Sequence, residues 1–208
     1  MNPPVPTIPL PSYLPFSRIP LRTAGWAAVT GMALVLPVSF LIHLLPLPAS
    51  GGWGAKLMAA TPLWLLALKS LLIYPVLEEC LYRGLMFQML RRHLPAWAAL
   101  VPPTLIFGLS HWGFSPQNAL FAAVVGMYFA WLTAHTGSLL TAIICHAGIN
   151  LCAVFLMPLI LDRASFVATN RLPLVALLAI SLGVILRGVW ALRGRPHARP
   201  LSAIPAAS

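Results

Sequence analysis

Six long apolar runs, separated by short stretches rich in proline, glycine or basic residues, decide what this chain can fold into. They cover about 24–46, 61–90, 96–112, 117–134, 138–161 and 173–192, and each helical crossing of a bilayer needs about 20 mostly apolar residues. With 60% hydrophobic residues, 8% charged residues and a mean hydropathy of +0.89, nearly the whole chain reads as one all-α, polytopic membrane domain of about six transmembrane helices. A water-facing globular core is not expected.

The flanks differ from this domain, which spans 24–192. Residues 1–20 hold seven prolines and lack the short charged start of a secretory signal, so segment 1–23 is expected to be an extended interfacial strap. The basic tail 193–208, with Arg193, Arg195 and Arg199 among three prolines, has no apolar period and is expected to be disordered. No internal repeat is evident.

A net charge of +10 raises the question of nucleic acid, but the basic residues fall at the ends of the apolar runs rather than along one face. The positive-inside rule accounts for them better. Six crossings with the N-terminus inside place Arg18, Arg22, Arg91, Arg92, Arg187, Arg193, Arg195 and Arg199 on the cytoplasmic side, against Lys56, Arg163 and Arg171 outside. Both termini are therefore expected in the cytoplasm. Cys80, Cys145 and Cys152 are odd in number and inside apolar runs, which suits free buried thiols rather than a disulfide framework.

Two of the three acidic residues, Glu78 and Glu79, sit side by side within the second apolar run, and the third is Asp162. A carboxylate near the centre of a span costs about 2.5–3.5 kcal/mol on insertion scales, so an intramembrane pair is a functional site by default. In the run Tyr74–Gly84, Glu79 and Arg83 are four apart, one helical turn, in the order that favours an ion pair. Glu78 points to another face and is left for chemistry. Pro75 removes a backbone donor one turn earlier, so a kink is expected there.

The third run places Phe107 and His111 four apart, and the fifth places His146 and Asn150 four apart with Gly148 between them. Alone, His111 fits an interfacial histidine beside Ser110 and Trp112, and His146 with Asn150 fits a hydrogen-bonded clasp between helices. Gly148 permits close helix approach. His43, His93, His135 and His197 have no such companions and read as interfacial or solvated. Together, an acid, two histidines and an amide from three helices form a kit for amide hydrolysis. A carboxylate and a histidine can deprotonate a water, and a histidine and an asparagine can stabilise the oxyanion.

These residues resemble the CPBP family of intramembrane proteases, which includes CAAX prenyl endopeptidases and bacterial relatives linked to bacteriocin processing and immunity. The family's motifs, E-E-x-x-x-R, F-x-x-x-H and H-x-x-x-N, occur here in order as Glu78-Glu79 with Arg83, Phe107 with His111, and His146 with Asn150. The resemblance covers roughly 60–160. Tyr82 stands where the family commonly has Phe. The resemblance implies an intramembrane endopeptidase, glutamic in type, in which Glu78 and His111 activate water and His146 and Asn150 hold the oxyanion. Glu79, Arg83 and Phe107 would then be supporting residues.

It further implies no cofactor, a membrane-anchored or lipidated protein or peptide precursor as substrate, membrane lipids as surroundings, and a compact member in the bacterial inner membrane. Two other readings use the same groups. A zinc hydrolase would take Glu78, His111 and His146 as ligands, although the sequence lacks H-E-x-x-H and Arg83 opposes a dication. A non-proteolytic immunity or transport protein would use the buried ionisable residues as a relay or binding site. Cys145, adjacent to His146, is badly placed to pair with it as a nucleophile.

Overall fold

The computed structural model describes residues 14–48, 53–161 and 171–193. The proline-rich residues 1–13, residues 49–52 and 162–170, and the residues beyond Arg193, including His197, lie outside the described residues. The described residues form helices and no strand. We number them α1 (Leu21–His43), α2 (Trp53–Ala60), α3 (63–90), α4 (Ala96–Ser110), α5 (Pro116–Thr136), α6 (139–161) and α7 (Arg171–Arg193).

The six expected apolar segments correspond to α1 and α3 to α7, and α2 is an additional short helix. Four helices, Leu21–His43, Pro116–Thr136, Leu139–Leu159 and Leu172–Arg193, are long and apolar enough to cross a membrane, and Trp97–Ser110 is a shorter apolar helix. The chain is a polytopic helical membrane protein.

Local sequence chemistry sets several boundaries. Ser115 caps α5 by accepting the Asn118 N–H at 3.1 Å, and Pro116 follows at the first turn, where its missing donor costs nothing. Gly137 closes α5 in the left-handed region (φ 65°), a conformation that costs glycine least. Ser138 then caps α6 through the Leu140 N–H. The extended residues before α1 are stitched to this turn: Ser17 Oγ donates to the Gly137 carbonyl at 3.0 Å, Ser138 Oγ to the Ser17 carbonyl at 2.7 Å, and the Leu139 N–H to the Pro15 carbonyl at 2.9 Å.

At the opposite end, Gln117 Nε2 donates to the Leu47 carbonyl at 3.1 Å and the Gly54 N–H to the Gly113 carbonyl at 3.0 Å, tying α2 to the α4–α5 turn. These ties, with Arg193 over the Trp131 ring, place the start of α1 and the end of α7 at the same end of the bundle.

Packing between helices rests on small residues, as expected where lipid gives no hydrophobic drive for association. Gly31 of α1 lies against the Cys145 backbone of α6, and a Cβ at Gly148 would stand 2.5 Å from the Ala28 carbonyl oxygen. The close approach expected at Gly148 is therefore made with α1. Gly108 plays the same part between α4 and α5, with Ala123 as its neighbour. The buried core runs through Ala27 and Val35 of α1, Phe107 of α4, Val125, Phe129 and Leu132 of α5, and Ala142, Cys145 and Ile149 of α6.

Candidate active site

α3 carries the paired glutamates and is irregular around them. Its α-helical stretches Leu63–Leu68, Tyr74–Glu79 and Phe87–Leu90 alternate with π-helical stretches Lys69–Ile73 and Cys80–Met86. Widened turns of this kind recur at functional sites. The first ends just before Pro75, so the helix meets the proline with a widened turn. Ser70, in that turn, bonds back to the Leu66 carbonyl through its hydroxyl.

Glu79 and Arg83 are fully buried. Arg83 Nη1 donates to Glu79 Oε1 at 3.0 Å, the ion pair expected from the spacing, and Nη2 donates to the Gly126 carbonyl of α5 at 2.8 Å. The guanidinium carbon lies 4.5 Å from the Phe107 ring centroid, 5.2 Å from Phe129 and 5.8 Å from Tyr82. A planar cation held by one carboxylate, one carbonyl and three aromatic rings suits arginine and not lysine.

His146 enters from α6 and completes the cluster. Its Nδ1 stands 3.0 Å from Glu79 Oε1, and an ionised carboxylate only accepts, so Nδ1 carries the proton. The other nitrogen, Nε2, then faces Glu78 Oε2 at 3.6 Å. The imidazole stacks on Phe129, with centroids 4.8 Å apart and planes 18° apart, and meets the Phe107 edge at 5.8 Å. Both glutamates therefore reach one histidine, although adjacent helix positions diverge. With both carboxylates ionised and Arg83 charged the group carries one net negative charge, and a protonated His146 cancels it.

His111 and Asn150 approach differently. His111 sits at the end of α4 with its ring folded back, Nδ1 being 2.9 Å from the Phe107 carbonyl and 3.2 Å from Ser110 Oγ. A carbonyl accepts only, so Nδ1 donates and the Nε2 lone pair is left for a substrate or water. The His111 ring touches Phe107 at 4.8 Å and Phe114 at 6.2 Å. Among the described contacts, Phe107 links it to His146, and no hydrogen bond joins it to Glu78. Asn150 Nδ2 donates to the Ser70 carbonyl at 2.8 Å, clasping α6 to the widened turn of α3, with its second amide hydrogen left over.

Among the described residues, no three His, Cys, Asp or Glu side chains gather where they could hold a metal ion. Cys145 is buried and free, and Cys80 and Cys152 are half-buried and free. His43, His93 and His135 are exposed, with His135 resting on Trp131 at 4.5 Å.

Sequence reading alone does not reveal Gly126, Phe129 or Ser70. Gly126 has a local signal, a lone glycine inside an apolar helix. A Cβ there would stand 2.7 Å from Arg83 Nη2 and 2.9 Å from the Phe107 ring, so the residue is small because the guanidinium occupies its space. Phe129 follows three residues later on the same face, but only the fold shows that it stacks on His146.

Replacing Glu79 by glutamine removes the negative charge that faces both Arg83 and His146. Glu79→Gln is expected to destabilise the protein by about 3–5 kcal/mol, the usual cost of stranding a buried charge. The thermal midpoint of the detergent-purified protein checks this, and an unchanged midpoint would show that the Arg83 charge is satisfied without Glu79.

No curated protein and no solved structure matches the chain significantly. A family model does, over residues 59–152, and its description is Type II CAAX prenyl endopeptidase Rce1-like. That segment contains Glu78, Glu79, Arg83, Phe107, His111, His146 and Asn150. The helical segment that builds this buried cluster is thus similar to the Rce1-like family of type II CAAX prenyl endopeptidases.

Proposed function

We propose that this protein is a glutamate-dependent intramembrane endopeptidase that hydrolyses a peptide bond of a membrane-anchored or lipidated protein or peptide precursor. The observation that carries the reading is the division of labour between the two carboxylates. Glu79 is fully buried and shares Oε1 between Arg83 and His146, whereas Glu78 is 28% exposed and bonded to neither Arg83 nor a backbone donor. Glu78 is thus the carboxylate free to take a proton.

In this mechanism Glu78, helped by the Nε2 lone pair of His111, removes a proton from water as the water oxygen attacks the scissile carbonyl carbon. The carbonyl π electrons move onto oxygen, and the resulting oxyanion is held by the Nε2–H of protonated His146 and by the remaining Asn150 amide hydrogen. Collapse re-forms the carbonyl and breaks the C–N bond. The departing amine takes the proton from Glu78, which returns to its starting state. Glu79 fixes the His146 ring by accepting from Nδ1, the usual way a carboxylate orients an imidazole.

The chemistry proposed uses no metal, because His146 is committed through Nδ1 to Glu79 and an adjacent guanidinium opposes a dication. The arginine-rich end of the bundle, with both chain termini, is assigned to the cytoplasm of a bacterial inner membrane on the positive-inside rule.

Glu78→Gln is expected to abolish cleavage of a lipidated reporter peptide while the protein still inserts and accumulates, since the amide keeps the shape but cannot accept the proton. Wild-type turnover by this variant would remove Glu78 as the base. Wild-type protein should stay active after prolonged chelation; loss of activity restored only by zinc would establish the metalloprotease reading.

For Asn150→Ala, loss of one oxyanion donor should lower kcat by about 10²–10³ with little change in KM. A change in KM alone would assign Asn150 to substrate binding. Fusion reporters test the orientation: cytoplasmic signal is expected after Pro200 and periplasmic signal within 48–56, and the reverse pattern would invert the assignment.

A further inference from the structure

The protein's charges are distributed unevenly. The described carboxylates are Glu78 and Glu79, both in the buried cluster, whereas the end of the bundle near the start of α1 presents Arg18, Arg22, Arg187 and Arg193. Arg187 is the inner one on α7, six residues before Arg193, so about 9 Å deeper along the helix axis. Gly188 lies directly against Thr30 of α1, and Leu192 is buried. These two contacts draw α7 onto α1 and leave Arg187 and Trp190 on the outer rim, Trp190 being 66% exposed.

Across the α1–α7 groove, Trp26 lies one turn before Thr30. The Arg187 guanidinium carbon is 5.6 Å from the Trp26 ring centroid and 4.3 Å from that of Trp190. Arg193 rests over Trp131 at 5.9 Å. The guanidinium thus lies over both indole rings, and no described carboxylate or carbonyl accepts from its N–H donors. A planar fork of donors at a membrane boundary matches a phosphate group. Indole N–H groups at that depth commonly bond to headgroups as well.

We propose that Trp26, Arg187 and Trp190, with Arg193 at the rim, form a binding site for the phosphate of an anionic phospholipid. A membrane lipid fits better than a soluble phosphate because of what adjoins the site. Leu186 and Leu182, one and two turns before Trp190 on the same stripe, are 63% and 54% exposed. A headgroup seat thus continues into an apolar track for an acyl chain. The negative surface potential of anionic leaflets adds to the attraction.

The test uses full-length protein in mild detergent and native mass spectrometry, with dioleoyl-phosphatidylglycerol, dioleoyl-phosphatidylcholine and inorganic phosphate as probes. Phosphatidylglycerol should be retained in preference to phosphatidylcholine, and Arg187→Gln should weaken its retention about fivefold. Lys56→Gln, at the other end of the bundle, should leave it unchanged. Equal retention of the two lipids, or full retention by Arg187→Gln, overturns the site. Displacement of the lipid by inorganic phosphate would reassign it to a soluble anion. Should Arg187→Gln fail to accumulate, wild-type protein labelled with a photoactivatable phosphatidylglycerol gives the answer. Adducts concentrated at Trp26 and 186–193 support the site, and adducts spread over the whole lipid-facing surface refute it.

Discussion

One carboxylate oxygen, Glu79 Oε1, holds the centre of this structure. It accepts from Arg83 and from His146, each at 3.0 Å, and so joins α3 to α6, while the second arm of Arg83 joins α3 to α5 through Gly126. Buried ions are costly unless each is paired and hydrogen-bonded, and in a bilayer the alternative of exposing them to water is absent. The cost that would exclude these groups from an ordinary span therefore fixes three helices relative to one another. Aromatic faces complete the seat: Phe107, Phe129 and Tyr82 surround the guanidinium, and Phe129 also sets the plane of His146.

The helical frame was largely legible because lipid imposes a simple requirement on length and polarity. Runs 24–46, 117–134 and 173–192 correspond within a few residues to Leu21–His43, Pro116–Thr136 and Arg171–Arg193. Ser115-Pro116 and Gly137-Ser138 fix helix ends in the structure by cap chemistry. The short helix Trp53–Ala60 carries little periodic signal in its eight residues, and its position depends on contacts with Gly113 and Phe114 made only after folding. The π-helical turns were equally hidden. The widened turn Lys69–Ile73 lies just before Pro75, and Asn150 bonds to its Ser70 carbonyl, a partner on another helix that local sequence does not name.

For the site, four-residue spacing within each helix identified the pair Glu79–Arg83 and grouped Phe107 with His111 and His146 with Asn150. Spacing within a helix carries no information about which partner on another helix each group meets. Spacing therefore does not reveal the bond from Glu79 to His146, and Glu78, on a separate helix face, lies near the same imidazole at 3.6 Å. Long flexible glutamates span the angular gap that backbone geometry alone predicts. Gly126 and Phe129 carry no ionisable group, so chemistry offered no reason to single them out.

His146 lies about 8 residues into α6 and His111 follows the last residue of α4, about 15 residues from its start. Phe107 borders both. Its ring lies between the imidazoles, at 4.8 Å from His111 and 5.8 Å from His146, in edge-on contact with both. Its carbonyl also receives the His111 Nδ1–H, so a single residue sets the height of one histidine through its backbone and borders the other through its side chain. A smaller residue at 107 would leave the Arg83 guanidinium without its nearest aromatic face and the imidazoles without a spacer. The aromatic member of F-x-x-x-H is thus as much part of the geometry as the histidine it accompanies.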